Sequence, residues 1–512
     1  MPDTRSDAPL MLGVSGLRGI VGRSLTPENA ARYAGAFGNW LRERTGEVAP
    51  RVALGRDGRD GGEAIELAAI AGLLGAGCDV VRLGIAPTPT VGLAADSLDA
   101  GMVITASHNP GEWNGLKCLV TDTLDRGDAV QPFARAPFQH EADEIIRLYH
   151  DGPTFETAPE TGRLTDDDDA PGAHVALVMD LLDDLLPADR QAAFAATGEL
   201  GYLAVVDAVD SSGSVISLPF LATLGRVVPL HCLMTGVFPH TPEPTLENLS
   251  APGGLTEAVP GLRADIGFAQ DPDADRLAII DERGRYIGEE YTLALAACSL
   301  LESYGKDAEG AVLVANLSTS RMIDDVAARY GARVERTPVG EANVVERMRT
   351  LIEDGQRVVL GGEGNGGVIW PDVCFVRDSL GSMALVLALM ARTGKPVSGL
   401  VEMINEMAGG GGGNRSGYAI EKRKVEIRAK SDAEPAADAI RTWGERAPAQ
   451  AGVRIDTQDG VRIDWGDAPH GGGTAWLHVR ASNTEPIMRL IAEARTPEQA
   501  RAILDEAARV IV

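Results

Sequence analysis

The feature that most constrains the fold is a unit that occurs three times along the chain. Each unit has an apolar strand, a helix and a second strand, followed by a third apolar strand that ends in a polar loop. Strands that alternate with helices are typical of mostly parallel sheets. Such sheets place their ligands at the C-terminal ends of the strands. The chain is therefore predicted to be α/β, with three mixed-sheet domains and functional groups in the three polar loops.

The predicted elements follow from periodicity and from helix start signals. Thr26 and Pro27 are predicted to start the first helix, as N-cap and first helical residue. The strands are predicted at 52–54, 79–83 and 101–104, at 203–206, 227–230 and 266–269, and at 312–314, 333–335 and 358–360. Further helices are predicted at 62–74, 214–224, 319–330 and 342–352.

A smaller α+β domain with an antiparallel sheet is predicted at the C-terminal end. Polar and apolar residues alternate in Lys424–Arg428, as in a half-exposed antiparallel strand. The acidic run 165–171 and the glycine run 409–413 are predicted linkers. Together these features predict four domains, at 1–168, 169–286, 287–408 and 414–512.

Composition narrows the class of protein. A chain of 512 residues, 44% of them hydrophobic, exceeds what one core accommodates. The net charge of −27 disfavours nucleic acid as a partner, and the preference for Arg on an acidic surface would suit a high-salt cytoplasm. There is no signal-like apolar segment and no apolar run of about 18 residues, so no membrane association is expected. The five separated cysteines predict reduced thiols in a cytoplasmic protein; the oligomeric state is not predicted.

The first polar loop, Thr105–Pro110, contains a candidate nucleophile. Ser107 follows the buried strand 101–104 and is held in a loop closed by Asn-Pro. Lys117, shortly after it, is one of only six lysines among 47 basic residues. Unlike Arg, a desolvated Lys can give up its proton. The loop alone is equally consistent with a polar turn beside a solvated Lys.

The second loop has the composition of a metal site. Asp271, Asp273 and Asp275 alternate along a segment predicted to be extended, so their carboxylates would converge on one side. Converging carboxylates favour Mg²⁺ or Ca²⁺, and Mg²⁺ often binds through few carboxylates plus a phosphate oxygen. Arg276 beside them is a candidate phosphate ligand. An EF-hand is disfavoured because Arg276 stands where glycine is required; a solvated acidic turn and an aspartate-nucleophile phosphatase remain alternatives.

Two further loops offer ligands for a sugar and for an anion. In Gly361–Gly367, Glu363 accepts and Asn365 both donates and accepts hydrogen bonds, which suits sugar hydroxyls, although a flexible turn is as consistent. The segment Arg480–Pro486 combines an Arg with hydroxyls, an amide and turn N–H groups, which suits an anion. Arg489 is a candidate second guanidinium, and an ion pair between Arg480 and Glu485 is the alternative.

In this order, the loops resemble those of the α-D-phosphohexomutases. The matching segments are Thr105–Pro110 (phosphoserine loop), Asp271–Arg276 (metal loop), Gly362–Gly366 (sugar loop) and Arg480–Pro486 (phosphate loop). The opening Gly-x-Ser-Gly-x-Arg-Gly, which contains Arg18 as a candidate substrate ligand, and residues 238–244 match too. The resemblance covers nearly the whole chain and implies four domains around one central cleft, the first three of like topology.

The resemblance also implies a reaction and residue roles. A phosphate on Ser107 would pass to a hexose monophosphate, giving a hexose 1,6-bisphosphate, which would turn over and return its other phosphate. One Mg²⁺ per chain would be held by Asp271, Asp273, Asp275 and the Ser107 phosphate, and Lys117 would be the acid/base group. His108 is a weaker candidate, because neighbours on an extended loop point apart. The implied substrate ligands are Glu363, Asn365, Arg480, Ser482, Asn483 and Thr484.

Two departures from the common family pattern bear on the sugar. The sugar loop has Asn365 where many members have Ser, and Gly340–Asn343 replaces a Val-Gly-His motif. Both variants resemble archaeal-type phosphoglucosamine mutases, and Glu341 could pair with an amino group. Glucosamine phosphate is therefore the leading expectation, with a phosphomannomutase/phosphoglucomutase as the alternative. A non-catalytic sugar-phosphate-binding regulator is disfavoured, since it would not need Ser107, Lys117 and three aspartates together.

Overall fold

The computed structural model describes residues 9–127, 129–151, 158, 160–191, 200–408, 417–446, 452–466, 473–482 and 486–511. Their strands form four sheets. The first contains β1 (Met11–Gly13), β2 (Gly16–Ile20), β3 (Arg51–Arg56), β4 (Asp79–Ile85), β5 (Ala100–Ile104), β6 (Trp113–Asp125), β7 (Val130–Arg135) and β8 (Leu164–Asp166).

The second sheet consists of β9 (Tyr202–Asp207), β10 (Gly225–Leu230), β11 (Ile266–Gln270) and β12 (Leu277–Asp281). The third consists of β13 (Val312–Asn316), β14 (Arg333–Thr337), β15 (Val358–Glu363) and β16 (Gly367–Ile369). The fourth is antiparallel, in the order β17-β21-β20-β19-β18. Its strands are β17 (Ala419–Glu426), β18 (Arg454–Asp456), β19 (Val461–Trp465), β20 (Ala475–Ala481) and β21 (Ile487–Ala494).

The first three sheets share one four-stranded core. Its order is β4-β3-β5-β6 in the first sheet, β10-β9-β11-β12 in the second and β14-β13-β15-β16 in the third. In each core the first three strands are parallel and the fourth is antiparallel. The predicted fold class, three similar mixed-sheet α/β units and a smaller α+β unit, is confirmed.

Most of the helices lie between strands along the chain. They span Pro27–Thr45, Gly62–Gly75, Thr88–Ala95, Gln139–Asp151, Ala170–Leu185, Ser214–Leu224, Leu246–Leu249, Leu255–Leu262, Glu289–Tyr304, Met322–Arg329, Glu341–Glu353, Ser379–Thr393, Val397–Met407, Ala433–Glu445 and Pro497–Ile511. Thr26 caps the first of them, accepting a hydrogen bond from the Asn29 N–H at 3.2 Å as expected for an N-cap. The helix Ser379–Thr393 is almost wholly buried and packs against Glu289–Tyr304.

The opening glycine-rich segment lies in a β-hairpin of β1 and β2, and β2 pairs with β6 of the first sheet. One sequence prediction about the connections is wrong. The segment 165–171 is not a free linker: β8 pairs with β4, and the helix Ala170–Leu185 begins inside it. The predicted glycine linker 409–413 lies outside the described residues. The four predicted domain boundaries stay predictions.

The five cysteines are buried and unpaired, as predicted for reduced thiols. Among the described residues, no single helix has both the length and the apolar composition needed to cross a membrane. The helices Ser379–Thr393 and Val397–Met407 reach these values only as a pair, and the pair is bent by 87°. The compartment stays a prediction.

Candidate active site

The three polar loops are equivalent by topology. Each connects the third strand of a shared core to its antiparallel fourth strand: β5 to β6, β11 to β12, and β15 to β16. Parallel strands present their C-terminal ends at one edge of a sheet, so each loop emerges at the edge where α/β sheets place ligands. The serine, metal and sugar loops therefore occupy equivalent positions in the three similar sheets.

Ser107 is held in a tight turn after β5. Its φ is 49°, in the left-handed region, and the side chain is buried. Thr105 Oγ1 accepts a hydrogen bond from the Ser107 N–H at 2.9 Å, and Arg59 donates to the Ser107 carbonyl at 2.5 Å. Asp57 accepts hydrogen bonds from both Thr105 and Arg59. This support fixes the serine hydroxyl, which donates to Asp271 Oδ2 at 3.1 Å.

Asp57 and Arg59, which follow β3, were not among the predicted site residues. Their position after a strand of the same sheet was the available signal. The Asp57–Arg59 ion pair of 2.8 Å is completely buried, and it supports the carbonyl of Ser107 rather than its hydroxyl. The pair therefore positions the candidate nucleophile.

His108 lies closer to Ser107 than the sequence indicated. The expectation that neighbouring side chains point apart assumed an extended loop, but the left-handed Ser107 turns the chain. His108 Nδ1 lies 3.3 Å from Ser107 Oγ. Burial, reinforced by Arg276 and Arg18, lowers the pKa of His108 to about 3. The imidazole is thus neutral at pH 7, and it can accept the one serine proton only in place of Asp271.

Asp271, Asp273 and Asp275 converge, although not by the predicted route. They lie in a turn with Ala274 at φ 51°, not on an extended segment. One oxygen from each carboxylate lies within 4.8 Å of the others, and all three residues are buried. Thr88 donates to Asp273 Oδ2 at 2.7 Å, and no described residue donates a hydrogen bond to Asp273 Oδ1 or Asp275 Oδ1. Buried carboxylate oxygens without donors are the groups that a hard cation satisfies.

The pKa values of the Asp271 and Asp275 carboxyl groups are shifted in opposite directions. Burial and then the charges of Asp275 and Asp273 raise the pKa of Asp271 well above its usual value. Burial acts in the same direction on Asp275, but Arg377 and Lys117 outweigh it and lower the pKa of that carboxyl. A divalent cation at the open oxygens would favour the ionised form of all three groups.

Lys117 lies on β6, opposite Val103 of β5, and not in a loop. Its ammonium group is buried, 3.2 Å from Glu341 Oε2 and 3.6 Å from Asp275 Oδ2. Burial alone would lower the pKa of Lys117, but these two carboxylates outweigh burial and raise it. The expectation that desolvation frees its proton is wrong for this resting state, in which Lys117 is an ammonium aimed at the metal loop.

Arg377 is the cation at the centre of the site, and no pattern in the sequence pointed to it. Its guanidinium is buried and donates to Asp275 Oδ2 at 2.5 Å and to Glu363 Oε2 at 2.7 Å. Its Nε lies 3.4 Å from Glu341 Oε2. Arg377 follows β16 and precedes the helix Ser379–Thr393, so tertiary packing alone brings it to the metal loop.

Glu341 and Glu363 both have cationic partners. Glu341 starts the helix Glu341–Glu353 and contacts Lys117 and Arg377. That Glu341 pairs with a sugar amine stays a prediction, but its carboxylate already has two cationic partners. Glu363, the last residue of β15, also accepts hydrogen bonds from Asn316 at 2.8 Å and from the Gly340 N–H at 3.2 Å.

Asn365, Arg18 and Arg276 have polar groups that are available to a ligand. Asn365 Oδ1 accepts a hydrogen bond from the Gly367 N–H at 3.2 Å and closes the turn of the sugar loop. Arg18 donates to Asn109 of the serine loop at 3.4 Å, but its Nε has no partner among the described residues. The Nε of Arg276 is likewise buried without one. Unsatisfied guanidinium N–H groups beside the serine and metal loops suit a phosphate.

The phosphate loop is described in part. Arg480 Nη1 lies 3.4 Å from Asp459 Oδ2, and Ser482 is buried at the end of β20. Arg489 is directly opposite Arg480 in the β20–β21 ladder, so the two side chains share one face of the sheet, as a second guanidinium requires. Asn483, Thr484 and Glu485 lie outside the described residues.

Asp459 links this sheet to the sugar side of the site. The carboxylate that pairs with Arg480 also accepts a hydrogen bond from the Val339 N–H at 3.1 Å, beside Gly340 and Glu341. Direct contacts thus join the serine, metal and sugar loops, and Asp459 joins the fourth sheet to them.

Four domain families of phosphoglucomutase/phosphomannomutase match this chain, in order. Domains I, II and III, described as alpha/beta/alpha, match residues 9–132, 190–284 and 289–407, and the C-terminal domain matches 421–510. The chain belongs to the phosphoglucomutase/phosphomannomutase family. The resemblance read from the motifs is confirmed, and with it phosphohexomutase enzyme activity.

Relatives of the chain carry two names. A phosphoglucomutase/phosphomannomutase of Thermococcus kodakarensis is 35% identical over 97% of each chain. A probable phosphoglucosamine mutase of Methanopyrus kandleri is 34% identical over 96% of each. The crystal structure of a phosphoglucomutase/phosphomannomutase family protein from Burkholderia thailandensis has the same fold, with a TM-score of 0.76, 24% identity and 98% of each chain covered.

Proposed function

We propose that this phosphohexomutase interconverts hexose 6-phosphate and hexose 1-phosphate through a phosphoserine at Ser107 and a hexose 1,6-bisphosphate. The observation that carries the proposal is the Ser107 hydroxyl fixed 3.1 Å from Asp271, in a buried carboxylate cluster with Lys117 3.6 Å from Asp275. A nucleophile and a cation site on two neighbouring loops, with an ammonium from β6 beside them, are the groups that phosphoryl transfer needs.

The residues present fit one Mg²⁺. Asp271, Asp273 and Asp275 would hold it, together with a phosphate oxygen on Ser107, since two of the aspartate oxygens lack hydrogen-bond donors. A bound Mg²⁺ would neutralise charge on the phosphoryl group in transfer. The three-oxygen site without nitrogen or sulfur favours this hard cation over a softer one.

The protein's own groups hold the phosphates and move the proton. Arg276 and Arg18 each have an Nε–H without a hydrogen-bond acceptor among the described residues, and would bind the phosphate in transfer. Arg480, with Ser482 and Arg489 on the same sheet, would hold the other phosphate and so orient the sugar. Lys117, as an ammonium, can deliver a proton to the departing serine oxygen; in the reverse step the neutral amine takes that proton back from the attacking serine hydroxyl.

For the sugar, the contacts favour a neutral substituent at C2. A protonated amine would need a carboxylate that is not already neutralised, and Glu341 and Glu363 both contact Arg377. Glucose and mannose 6-phosphates are therefore the first candidates, in line with the name of the Thermococcus relative. Glucosamine 6-phosphate is the second, because the Methanopyrus relative is named a probable phosphoglucosamine mutase.

The mechanism is tested by replacing the serine. Intact-mass analysis of the purified parent should show a fraction heavier by one phosphate, and Ser107→Ala should lack it and lose turnover. Ser97→Ala is the matched control, because Ser97 is exposed and its hydroxyl donates to the Ala94 carbonyl of the preceding helix. Near-normal turnover by Ser107→Ala would overturn the phosphoserine mechanism.

The sugar is tested by measuring kcat/KM for glucose, mannose, glucosamine and N-acetylglucosamine 6-phosphates side by side. The proposal expects glucose or mannose 6-phosphate to be preferred. A clear preference for glucosamine 6-phosphate would contradict the assignment from Glu341 and Glu363, while leaving the phosphoserine mechanism intact.

A further inference from the structure

A second group of metal-ligating side chains lies at the end of β9, outside the candidate active site. Asp207 is buried, and its Oδ2 lies 2.9 Å from His231 Nδ1 and 3.0 Å from His240 Nε2. One ligand atom from each of the three residues lies within 4.8 Å of the others. Two imidazoles and one carboxylate are a donor set that suits Zn²⁺ and similar transition metals, unlike the all-oxygen aspartate loop.

The ring of His240 already has the environment of a metal ligand. Its Nδ1 lies 2.8 Å from the Thr241 carbonyl and must therefore carry a proton. In a neutral ring, Nε2 then has its lone pair directed at the Asp207 carboxylate, which is repulsive unless a cation or a second proton lies between them. Ligating histidines commonly donate their other N–H to a backbone carbonyl in this way.

The backbone holds these ligands at a cost in strain. His231 has φ 52°, and Val209 and Asp210, just after β9, have φ 47° and 53°. Left-handed conformations are unfavourable for such residues and persist only where surrounding contacts enforce them. Asp210 provides these contacts, since its N–H donates to the His231 carbonyl at 2.6 Å and its carboxylate accepts from the Leu233 N–H.

The group of Asp207, His231 and His240 lies beside a cavity. Through Phe238 it also lies near Arg59, which supports the serine loop. A cavity of about 540 Å³ is lined by His240, Phe238 and residues of the first sheet's loops, including Pro110 and Gly111. His240 thus has an open side from which an ion can enter. The Phe238 ring lies 5.3 Å from the guanidinium of Arg59, which donates to the Ser107 carbonyl.

We propose that Asp207, His231 and His240 form a second metal site, which binds one transition-metal ion of the zinc class. The ion would fasten the segment 231–240 to the end of β9, with its fourth position open to the cavity. Three protein ligands with one open position is a common zinc arrangement. The proposal is independent of the phosphoserine mechanism.

The test is a Zn²⁺ titration of chelator-treated, full-length protein by calorimetry, with Mg²⁺ in large excess to fill the aspartate loop. The parent should bind one Zn²⁺ per chain. His231→Ala and His240→Ala should each weaken that binding by about tenfold or more. Asp273→Asn, in the aspartate loop, should leave it unchanged, and His150→Ala is the control for an unrelated histidine.

Two further measurements keep the proposal falsifiable. Co²⁺ in place of Zn²⁺ should give visible absorption bands with the parent that both histidine variants lack. His231 is 29% exposed at its side chain, so its replacement by Ala should leave the far-UV circular dichroism unchanged. The proposal is overturned if the parent takes up no Zn²⁺ in excess Mg²⁺, or if both histidine variants bind Zn²⁺ as the parent does. It also fails if His240 stays doubly protonated by NMR when Zn²⁺ is added, because a proton then occupies the position.

Discussion

At the scale of single residues, the site depends on one buried guanidinium. Arg377 faces Asp275, Glu341 and Glu363, which come from the metal loop, a helix start and the sugar loop. Three buried carboxylates around one position would repel each other without it. Arg377 thus links the second and third units at the point where the substrate is expected to bind.

Replacing Arg377 by Met should therefore destabilise the protein. Removing one partner of a buried charge cluster leaves uncompensated charge and costs about 3–5 kcal/mol. Urea unfolding at pH 7 measures the change. Arg285→Met is the matched control, because that Arg is 59% exposed in its ion pair with Asp281 and should cost no more than about 1 kcal/mol. Equal effects in the two variants would show that Arg377 is not a structural centre.

A second residue-scale prediction concerns the contact between Lys117 and Glu341. Glu341→Gln removes the carboxylate that contributes most to raising the pKa of Lys117, so that pKa should fall. If Lys117 acts as an ammonium, the alkaline limb of the pH profile of kcat/KM should move to lower pH. The losses on glucose and glucosamine 6-phosphates should be equal.

Glu346→Gln is the control for the Lys117 experiment, since Glu346 is exposed on the same helix. An unmoved alkaline limb in Glu341→Gln would remove Lys117 from the proton transfer. A loss confined to glucosamine 6-phosphate would instead restore Glu341 as a ligand of the sugar amine.

At the scale of elements, the C-terminal end of the helix Thr88–Ala95 contains an acid in an unfavourable place. Asp96 caps this helix, where the negative end of the helix dipole opposes a carboxylate. Burial raises the pKa of Asp96 to about 7, although its Oδ1 accepts a hydrogen bond from the Ala134 N–H. The folded protein therefore binds this proton more tightly than the unfolded chain does.

The contribution of Asp96 to the free energy of unfolding therefore falls as pH rises. Stability contributed by protonated Asp96 is fully present below its unfolded pKa of about 4 and is lost as pH rises through about 7. Asp96→Asn keeps a hydrogen-bond acceptor and cannot ionise. Thermal unfolding should show the variant to be more stable than the parent at pH 8, with the advantage shrinking toward pH 4. An advantage that is constant with pH would contradict the assignment.

At the scale of the whole molecule, the apolar core is divided unequally. One cluster of buried side chains runs from Ala53 of the first sheet through Phe268 of the second to Leu313 of the third. The fourth sheet has a separate cluster. It meets the third unit through polar contacts, such as those of Ser318 with His478 at 2.9 Å and of Arg321 with Asp464 at 3.6 Å.

We expect this division to appear in unfolding. The fourth unit should unfold in a transition of its own, before the first three, because separate cores are cooperative within themselves and weakly coupled by polar contacts. Differential scanning calorimetry should resolve two transitions, and limited proteolysis near the first should release the C-terminal part. A single transition with equal calorimetric and van't Hoff enthalpies would show that the polar contacts couple all four units.

The sequence by itself determined the local elements and the chemistry of the loops. Apolar strands, helix caps such as Thr26 and polar residues at strand ends are signals within a few neighbouring residues. They predicted the four sheets and placed Ser107 and the three aspartates in loops at the ends of strands. The family motifs added the reaction, because they specify side chains at fixed spacings.

Only the tertiary structure decided which distant groups meet. Arg377 lies 102 residues from Asp275, and Glu341 lies 224 residues from Lys117, so no local pattern records either contact. The charge state of Lys117 and the conformation of Ser107 depend on such partners, which is why the sequence predicted a freed proton and an extended loop. The same reason hid the cluster of Asp207, His231 and His240, which joins the end of β9 to the segment 231–240.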